Sequence, residues 1–598
     1  MRSTMQPGAL TIRSIFEHGE SVFPHKHVVG FDGASCRRTS FRKIAQRVRQ
    51  FAAALQRLGL HPGDRVGSFC WNCQEHLEAY FAVPGIGAVL HTLNLRLFPE
   101  QIEYIIRHAE NRAIIVEETL LPLLSPLLPR LPSVRHLIVI ARGGKVADAE
   151  LDRLPSLRIH DYEQLLATEN PSSALADVDE SSAAAMCYTS GTTGAPKGIV
   201  YSHRSVYLHS MAAASPAAFS LSACDRALVI PSMFHANAWG IPHAAWWVGA
   251  DLILPGRHVQ PEPLARLIAL ERPTFAGGVP TIWNGLASHL EQGRSDVPFA
   301  DLSSFRLCVS GGSPVPRSLV ERMQRLGARL VQLWGMTETS PLAAVAHPPE
   351  DCVVGSDEDI AWRSRTGRIL PGVEMRVADG ETVLPWDGQS LGEIEVRGPW
   401  VAASYFKNEG PDRFHDGWLR TGDVGTIDPL GYMRITDRAK DVIKSGGEWI
   451  SSVDLENHLM AHPDVIESAV IAVPDDRWDE RPLACVGNRK GVRTLFRETE
   501  KETEKVSGPF FVQFFPRPTS RHKRALQSQL LRRSLHPCRR PVRLTALDAS
   551  PQRLQLRFRL NRKGVRTLFR PVLSSADLAP QACFAIPTPS PFAPPMPP

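Results

Sequence analysis

Long apolar runs are absent from this chain of 598 residues, although 43% of its residues are hydrophobic. Proline, glycine or a charged residue interrupts each run well before the roughly 18 to 20 apolar residues that a membrane-spanning helix needs. The first dozen residues lack the apolar core of a secretory signal, and the C-terminus lacks a receptor-read address such as Ser-Lys-Leu. We therefore predict a protein of the cytoplasm without a membrane span.

Cysteine is also scarce. Ten cysteines in a chain of this length are too few for the disulfide framework of a small secreted protein. Cys70 and Cys73 have the Cys-x-x-Cys spacing of redox and zinc sites, and His76 lies nearby, but no second pair follows. We interpret the pair as two reduced thiols at the connection between a strand and a helix.

Charge is distributed unevenly. Residues 488–598 carry 22 Lys and Arg against 6 Asp and Glu, a net charge of +16, which leaves −10 for residues 1–487 of a chain whose net charge is +6. A basic tail suggests nucleic acid as a partner. The acidic body argues against this for the protein as a whole, so we predict no nucleic-acid partner.

Helical and β-rich stretches alternate between about residues 40 and 340, which is typical of βα units on parallel sheets. From Gly367 to Ile435, short alternating runs between turn residues predict a small β-rich subdomain. We predict an α/β fold with a large N-terminal domain over residues 10–436, composed of two βα-layered subdomains and the β-rich one. Residues 437–487 are predicted to begin a small α+β C-terminal domain, and residues 488–598 form a divergent basic and Pro-rich tail. The predicted helices are 44–58, 99–108, 315–327 and 453–460, and the predicted strands are 113–116, 136–139, 227–229, 307–309, 330–332 and 468–473.

The segment Tyr188-Thr-Ser-Gly-Thr-Thr-Gly-Ala-Pro-Lys-Gly198 is the strongest chemical signal. Glycine permits positive φ and close approach, so backbone N–H groups of such a loop can surround a polyphosphate, while hydroxyls and Lys197 add donors and a cation. The Gly-Lys-Ser/Thr order of a Walker A loop is absent. A flexible linker is the alternative, but strand-like residues flank the segment and favour phosphate binding.

This motif resembles the AMP-binding signature of the adenylate-forming superfamily, which includes acyl-CoA synthetases, luciferases and peptide-synthetase adenylation domains. Four further segments resemble that superfamily in order: Gly311–Pro314, Gln332–Glu338, Trp418–Asp423 and Asp437–Trp449. Within it, the segments 233–239 and 446–456 look most like medium- and long-chain fatty-acyl-CoA synthetases. The resemblance covers about residues 10–487.

The resemblance implies an enzyme that activates a fatty acid with ATP and Mg²⁺ and then passes the acyl group to coenzyme A. Mg²⁺ prefers oxygen ligands, so one carboxylate with phosphate oxygens suffices. Glu338 and Thr192 are the expected metal ligands and catalytic residues. The residues expected to contact ATP or AMP are Thr189, Ser190, Gly191, Thr193, Gly194, Lys197, Gly312, Ser313, Trp334, Gly335, Thr337, Asp423 and Arg438.

Individual roles follow from the same resemblance. Thr337 would hydrogen-bond the α-phosphate, Trp334 would stack on adenine, Asp423 would accept from two ribose hydroxyls, and Arg438 would contact ribose or phosphate. Taken singly, a Trp at a strand end is usually core and an Asp after Gly is usually a turn. The order and spacing of the motifs favour the functional interpretation.

The resemblance places His235 and Trp239 at an acyl pocket, with core packing as the alternative for both. Asp437 would be the hinge about which the small domain moves between two poses. The segment after it would then face coenzyme A, with a solvated turn as the alternative. The residues assigned there are Lys444, as a catalytic residue, and Ser445, Gly446, Gly447, Glu448 and Trp449.

The superfamily pattern is not followed near the end of the chain. The family carries an adenylation lysine in a late Pro-x-Thr-x-x-Gly-Lys segment, whereas this chain has Pro516-Arg-Pro-Thr-Ser-Arg-His-Lys523. Either Lys523 replaces that lysine, or an insertion or reading-frame change after Gly487 has disrupted the small domain. The second explanation is favoured by the charge step, by the Pro-rich end and by the ten residues 488–497, which recur identically at 561–570.

Three functions compete on this evidence. The first is a medium- or long-chain fatty acid–CoA ligase, with fatty acid, ATP and coenzyme A as small-molecule partners and homodimerisation as a possibility that the resemblance allows. The second is a ligase for another small acid, or one that stops at acyl-AMP. The third is a non-catalytic nucleotide- or acyl-binding relic with a damaged small domain.

Overall fold

The computed structural model describes residues 3–141, 154, 156–172, 174–189, 195–293 and 301–438, and then 443–445, 448–450, 452–460, 465–475, 479–488, 494–495, 511–515, 568–569 and 584–585. Packing divides the chain into two units, Met1–Ile435 and Thr436–Pro598. The secondary structure has the α/β composition that the sequence predicts.

The described helices are α1 Ile12–Val22, α2 Phe41–Arg57, α3 Gln74–Gly85, α4 Pro99–His108, α5 Leu121–Leu124, α6 Tyr162–Ala167, α7 His203–Ala214, α8 Ile241–Val248, α9 Pro261–Glu271, α10 Pro280–Glu291, α11 Arg317–Arg325, α12 Asp357–Arg363 and α13 Ser452–Met460. The described strands are β1 His27–Phe31, β2 Cys36–Ser40, β3 Arg65–Phe69, β4 Val89–Thr92, β5 Ala113–Glu117, β6 His136–Ile140, β7 Arg158–Asp161, β8 Ala183–Tyr188, β9 Gly198–Ser202, β10 Arg226–Val229, β11 Asp251–Leu254, β12 Phe275–Gly278, β13 Leu307–Ser310, β14 Leu330–Gly335, β15 Leu342–Val345, β16 Gly367–Ile369, β17 Glu374–Asp379, β18 Thr382–Leu384, β19 Gly392–Arg397, β20 Phe414–His415, β21 Trp418–Ile427, β22 Tyr432–Arg438, β23 Ile443–Ser445, β24 Glu448–Ile450, β25 Val465–Asp475, β26 Asp479–Asn488, β27 Thr494–Leu495, β28 Phe511–Phe515, β29 Leu568–Phe569 and β30 Phe584–Ala585.

Seven strands form the first sheet of the large unit, in the order β7-β6-β5-β3-β4-β8-β9. Its neighbours are parallel except for β8 and β9, which are antiparallel. Strands β5 and β6 are buried at every position, as expected of a parallel sheet with both faces covered. The predicted strands 113–116 and 136–139 are confirmed.

The second sheet combines a parallel and an antiparallel part that share β14. On one side of β14, strands β13, β12, β10, β11 and β1 follow in parallel, and β2 is added antiparallel to β1. On the other side lie the antiparallel strands from β15 onwards. The antiparallel part contains β16 to β22 and confirms the predicted β-rich subdomain. The C-terminal end of β14 therefore lies where the two parts meet.

Local capping explains where the helices begin. Helix α4 has the predicted bounds, whereas α2 begins three residues before its predicted start because the Ser40 hydroxyl caps it and accepts from the N–H of Lys43 at 3.3 Å. Helix α11 begins two residues after its predicted start because Pro316 is extended at φ −60°, ψ 139°. Cys70 and Cys73 are free thiols between β3 and α3, as predicted.

Aromatic packing fills the centre of the large unit. The ring of Trp246 stacks on Phe41 with centroids 4.0 Å apart and lies 5.8 Å from the ring of Phe16. All three side chains are fully buried.

Over the part of the chain that the structure describes, no helix combines the length and apolar character needed to cross a membrane.

The second unit contains α13 and a sheet in the order β24-β23-β26-β28-β27, with β25 also paired to β26. Ile443, Leu459, Val470 and Ala484 form its small apolar core. Strand β28, which comes from the basic tail, pairs in parallel with β26 and sets Phe511 opposite Leu483. This pairing brings a segment beyond residue 487 into the sheet.

Candidate active site

The two ends of the predicted phosphate loop are fastened together. Strands β8 and β9 pair with Tyr188 opposite Gly198, and the N–H of Thr189 donates to the carbonyl of Lys197 at 2.9 Å. The residues between these ends, Ser190, Gly191, Thr192, Thr193 and Gly194, lie outside the described residues. The strands predicted on both sides of the loop are confirmed.

Lys197 lies against a tyrosine and a glycine from a distant segment. Its Nζ is 4.9 Å from the ring centroid of Tyr405, in a cation–π arrangement. A Cβ added to Gly410 would lie 2.1 Å from the same Nζ, and Gly410 has a φ of +55°. Glycine at residue 410 therefore satisfies both the backbone conformation and the space that Lys197 needs.

Glu338 is a buried carboxylate in a short 3-10 turn, Thr337–Thr339, just after β14. Its Oε1 accepts a hydrogen bond of 2.6 Å from the hydroxyl of Tyr405. Its backbone carbonyl accepts from the N–H of Ala402 at 2.7 Å, and the carbonyl of Thr337 accepts from the hydroxyl of Tyr201 at 2.7 Å. The turn is thus held from two sides.

The turn also depends on a glycine. A Cβ added to Gly335 would lie 1.7 Å from the carbonyl oxygen of Pro341, so no other residue fits without moving the backbone. Gly312 follows the neighbouring strand β13 with a φ of +82°, and both Gly312 and Ser313 are exposed. The carboxyl ends of β13 and β14 therefore present backbone and small side chains at one edge, where open α/β sheets bind ligands.

Trp334 and Asp423 are paired, although 89 residues separate them in the sequence. The indole N–H of Trp334 donates to Oδ2 of Asp423 at 2.9 Å, and the two residues are 8% and 9% exposed. The N–H of Asp423 donates to the hydroxyl oxygen of Thr421 at 3.1 Å. One carboxylate oxygen of Asp423 is therefore already bonded within the protein.

We refer to Trp334, Glu338, Tyr405 and Asp423 together as the nucleotide wall, after the ligand that the sequence motifs predict for three of them. Burial, followed by the neighbouring Glu338 carboxylate, raises the pKa of Tyr405 above its ordinary value. Its phenol is therefore protonated at neutral pH and donates to Glu338. Tyr405 is the member of the wall that sequence reasoning missed, because its partner in the fold lies 67 residues away and no local pattern marks it.

The segment Ala236–Gly240 adopts an unusual backbone conformation. All five residues have positive φ, from 43° at Ala236 to 73° at Gly240, and we call them the left-handed segment. Trp239 is buried, and a Cβ added to Gly277 on β12 would lie 3.1 Å from its ring. His235, immediately before the segment, is exposed, so the two residues predicted for the acyl pocket differ in burial.

Polar contacts hold the left-handed segment and the turn before it. The thiol of Cys187 donates to Oδ1 of Asn237 at 3.5 Å. Asn72 donates to the carbonyls of Val229 and Pro231 at 2.7 and 2.9 Å, and its Oδ1 accepts from the N–H of Met233 at 2.8 Å. Asn72 therefore holds the backbone of the residues that precede His235.

His209 lies between the left-handed segment and β15. A Cβ added to Gly240 would lie 2.4 Å from its ring, while its Nε2 accepts from the N–H of Leu342 at 3.2 Å. Burial lowers the pKa of His209 to about 3. The imidazole is therefore neutral at pH 7, as its role as an acceptor requires.

The remaining predicted site residues belong to the other unit or to its border. Asp437 and Arg438 end β22, Lys444 and Ser445 lie in β23, and Glu448 and Trp449 lie in β24. These two strands are antiparallel, with Lys444 opposite Trp449 and Ser445 opposite Glu448. Gly446, Gly447 and Lys523 lie outside the described residues.

Comparison with known proteins gives two matches to family models. Residues 16–406 match the AMP-binding enzyme family, and residues 454–523 match the AMP-binding enzyme C-terminal domain. The second match extends past Gly487 and ends at Lys523. This chain belongs to the AMP-binding enzyme family.

Individual relatives cover most of the chain. The medium-chain-fatty-acid–CoA ligase of Ectopseudomonas oleovorans is 41% identical over 81% of this chain and 87% of its own length. The long-chain-fatty-acid–CoA ligase of Thermus thermophilus is 43% identical, with the same coverage of each chain. The crystal structure of the anthranilate CoA ligase AuaEII in complex with anthranoyl-AMP is similar with a TM-score of 0.74 and 25% identity, over 89% of this chain and all of that one.

Proposed function

We propose that this protein is an ATP-dependent fatty acid–CoA ligase that works through an acyl-adenylate. The observation that carries the proposal is the nucleotide wall, where the buried carboxylate of Glu338 is held by Tyr405, whose ring also lies against the phosphate-loop residue Lys197. Identities of 41% and 43% to medium- and long-chain fatty-acid–CoA ligases support the choice of acid.

The reaction has two steps. A carboxylate oxygen of the fatty acid attacks the α-phosphorus of ATP, the bond to the β-phosphate oxygen breaks, and pyrophosphate leaves. The thiol sulfur of coenzyme A then attacks the acyl carbonyl carbon and gives up its proton to the solvent. The bond from that carbon to the phosphate oxygen breaks, and AMP leaves. In the first step Lys197 reduces the repulsion between carboxylate and phosphates, while Thr337 and Asp423 orient the α-phosphate and the ribose.

The donors at the wall suit a magnesium ion. Mg²⁺ is commonly held by one or two carboxylates together with substrate phosphate oxygens. Glu338 supplies a buried carboxylate whose Oε1 accepts from Tyr405, while Oε2 has no hydrogen bond to any residue that the structure describes. We propose that Glu338, together with Thr192 of the phosphate loop, holds Mg²⁺. When bound, the ion neutralises charge on the triphosphate and so eases departure of pyrophosphate.

We also propose that the acid lies beside His235 and Trp239. The buried Met233, Phe234 and Trp239 favour an aliphatic chain over a polar amino acid. Each buried methylene contributes up to about 0.8 kcal/mol, so affinity should rise several-fold per carbon until the pocket ends. A series of straight-chain carboxylates tests this, and a flat series would reject a hydrophobic acyl site.

Pyrophosphate release, measured with and without coenzyme A, tests the proposal against its alternatives. A ligase for another acid is the second candidate, since AuaEII acts on anthranilate and shares the fold; it would release pyrophosphate with aromatic or short acids instead. An enzyme that stops at acyl-AMP would release the same amount of pyrophosphate with and without coenzyme A. A non-catalytic relic would bind ATP without releasing pyrophosphate.

For the small unit we propose that Asp437 is the hinge, that Arg438 contacts the nucleotide, and that Lys444 to Trp449 face coenzyme A in the second step. The family match that ends at Lys523 supports that lysine as the adenylation cation. The residue before Lys523 is His522 and not the glycine of the family segment, which argues for slow adenylation.

Lys523→Ala, assayed separately for adenylation and for thioester formation, tests the role of this lysine. A lower rate of adenylation alone would assign the role to Lys523, and an unchanged rate would exclude it.

A further inference from the structure

Tyr405 contacts two predicted ligand-binding groups at once, and no motif of the sequence assigns it a role. Its hydroxyl donates to Oε1 of Glu338 at 2.6 Å, and the Nζ of Lys197 lies 4.9 Å from the centroid of its ring. Tyr405 is 6% exposed and packs edge-on against Phe414, with ring centroids 5.2 Å apart. The ring is therefore fixed in place independently of the two groups that it contacts.

The hydroxyl and the ring make separable contributions. A buried carboxylate needs a hydrogen-bond partner, since burial without one is costly. Tyr405 is the one side chain among the described residues that hydrogen-bonds the carboxylate of Glu338. The ring face, in contrast, attracts the Lys197 cation through its quadrupole. Removing the hydroxyl alone should release Glu338, and removing the ring as well should release Lys197.

We propose that Tyr405 is a positioning residue which sets the carboxylate of Glu338 for the cation and the ammonium of Lys197 for the phosphates. The inference rests on the proposed function, because it takes Glu338 as the cation ligand. A hydrogen bond to a charged group contributes about 1.5 to 3 kcal/mol, which corresponds to a roughly 10- to 100-fold change in the Mg²⁺ requirement.

Tyr405→Phe and Tyr405→Leu test the two contributions by calorimetry on the full chain. Tyr405→Phe should raise the Mg²⁺ concentration needed for half-maximal ATP binding at least about 10-fold, while AMP binding without Mg²⁺ changes less than about twofold. Tyr405→Leu should in addition weaken ATP binding in the presence of a chelator by about threefold, because the support for Lys197 is lost.

Tyr432→Phe is the matched control. The hydroxyl of the buried Tyr432 also donates a hydrogen bond, to the carbonyl of His347 at 2.7 Å, so its loss reports the general cost of removing a phenol hydroxyl. It should leave the Mg²⁺ requirement unchanged. Thermal unfolding of all three variants without ligands shows whether each one folds. Tyr405→Phe preserves the ring at residue 405 and its packing.

Three results would overturn the inference. The first is an unchanged Mg²⁺ requirement in Tyr405→Phe. The second is a lower Mg²⁺ requirement in that variant, which would mean that the phenol competes with the cation. The third is an equal loss of AMP and ATP affinity, which would mean a general structural role. If the wild-type chain binds Mg²⁺ and ATP but makes no acyl-AMP, the proposed function fails while the positioning role stands.

Discussion

The nucleotide wall and the left-handed segment are stabilised by different means. In the wall, polar side chains that are distant in sequence bond to one another in two pairs, Tyr405 with Glu338 and Trp334 with Asp423. In Ala236–Gly240 the backbone itself is in a region that costs a non-glycine residue about 1 to 2 kcal/mol. Packing of the buried side chains must offset that cost.

The difference teaches where each region is sensitive to change. A wall built from pairs can lose one hydrogen bond and keep its shape, so its variants should alter ligand affinity or rate more than stability. A strained segment packed into the core has no such tolerance, so its variants should alter folding. The five changes below test that comparison, from the largest expected effect to the smallest.

Glu338→Gln should have the largest effect, on adenylation. The substitution preserves the size of the side chain and removes the charge, and losing one well-placed charged group from a transition state costs about 10² to 10³ in rate. Pyrophosphate release measures it. Glu350→Gln, at an exposed residue, is the control, and a Glu338 variant as fast as that control would remove Glu338 from the chemistry.

Gly240→Ala should unfold the left-handed segment. A Cβ there would lie 2.4 Å from the ring of His209, so overpacking adds to the strain of positive φ. The free energy of unfolding should therefore fall by about 2 to 4 kcal/mol. Gly59 also has positive φ, at +81°, but a Cβ there meets nothing within 4 Å. Gly59→Ala should therefore cost only about 1 kcal/mol in urea unfolding, and equal losses would contradict the steric explanation.

Trp334→Phe should weaken binding of AMP and ATP alike, by about 10-fold, because Asp423 loses a hydrogen bond to its carboxylate. Calorimetry measures both affinities. Trp362→Phe also removes a hydrogen bond from an indole N–H to a carboxylate, the exposed bond to Glu358 at 3.3 Å. It lies outside the wall and should change neither affinity. A loss confined to ATP would place Trp334 at the phosphates instead of the nucleoside.

Stability should fall when the solution is acidified. Burial lowers the pKa of His209 to about 3 and that of His243 to about 4, from 6.5 when unfolded. The unfolded chain binds these protons first, so the contribution is fully present above pH 6.5 and is lost as the pH falls towards those values, by about 1.4 kcal/mol per unit for each group.

His243→Phe sharpens this test, because the ring of His243 already lies between the rings of Tyr80 and Phe81 and Phe can take its place. Between pH 6.5 and 5 the unfolding free energy of the variant should fall less than that of the wild type. The slope of unfolding free energy against pH should be smaller by the equivalent of about one bound proton. Urea titrations at several pH values measure the slope. An unchanged slope would show that His243 binds its proton equally well in the folded and unfolded chains, so that burial does not lower its pKa.

Ala236→Gly should have the smallest effect. Glycine removes the strain of a φ of 43° but increases the entropy of the unfolded chain, and the two terms differ by less than about 1 kcal/mol. Thermal unfolding is the measurement. A loss of more than about 2 kcal/mol would show that the methyl group, and not the backbone, holds the segment.

Local patterns predicted the elements of the fold well. Helix α4 has the predicted bounds because Pro99 can begin a helix at its first position, and the buried strands β5 and β6 are continuous apolar runs. The errors lie at ends that depend on caps, such as Ser40 and Pro316. Periodicity reports which face is buried, whereas a cap depends on one side chain.

The contacts of the site were harder to predict. Motifs singled out Glu338, Trp334 and Asp423 separately, but the pairing of Trp334 with Asp423 and the contact of Tyr405 with Glu338 join residues that are 89 and 67 positions apart. The left-handed segment had no signal either, since Ala236, Ala238 and Trp239 are residues that ordinarily avoid positive φ. Tertiary packing overrides the local preference there.

A single-turnover reaction with enzyme in excess over ATP tests the central claim most directly. With dodecanoate, Mg²⁺ and coenzyme A, we expect AMP, pyrophosphate and dodecanoyl-CoA in equal amounts, and none of them from Glu338→Gln on the same timescale. Excess enzyme keeps slow adenylation visible. Formation of ADP and phosphate, or ATP left intact throughout, would contradict the assignment of this chain as a fatty acid–CoA ligase.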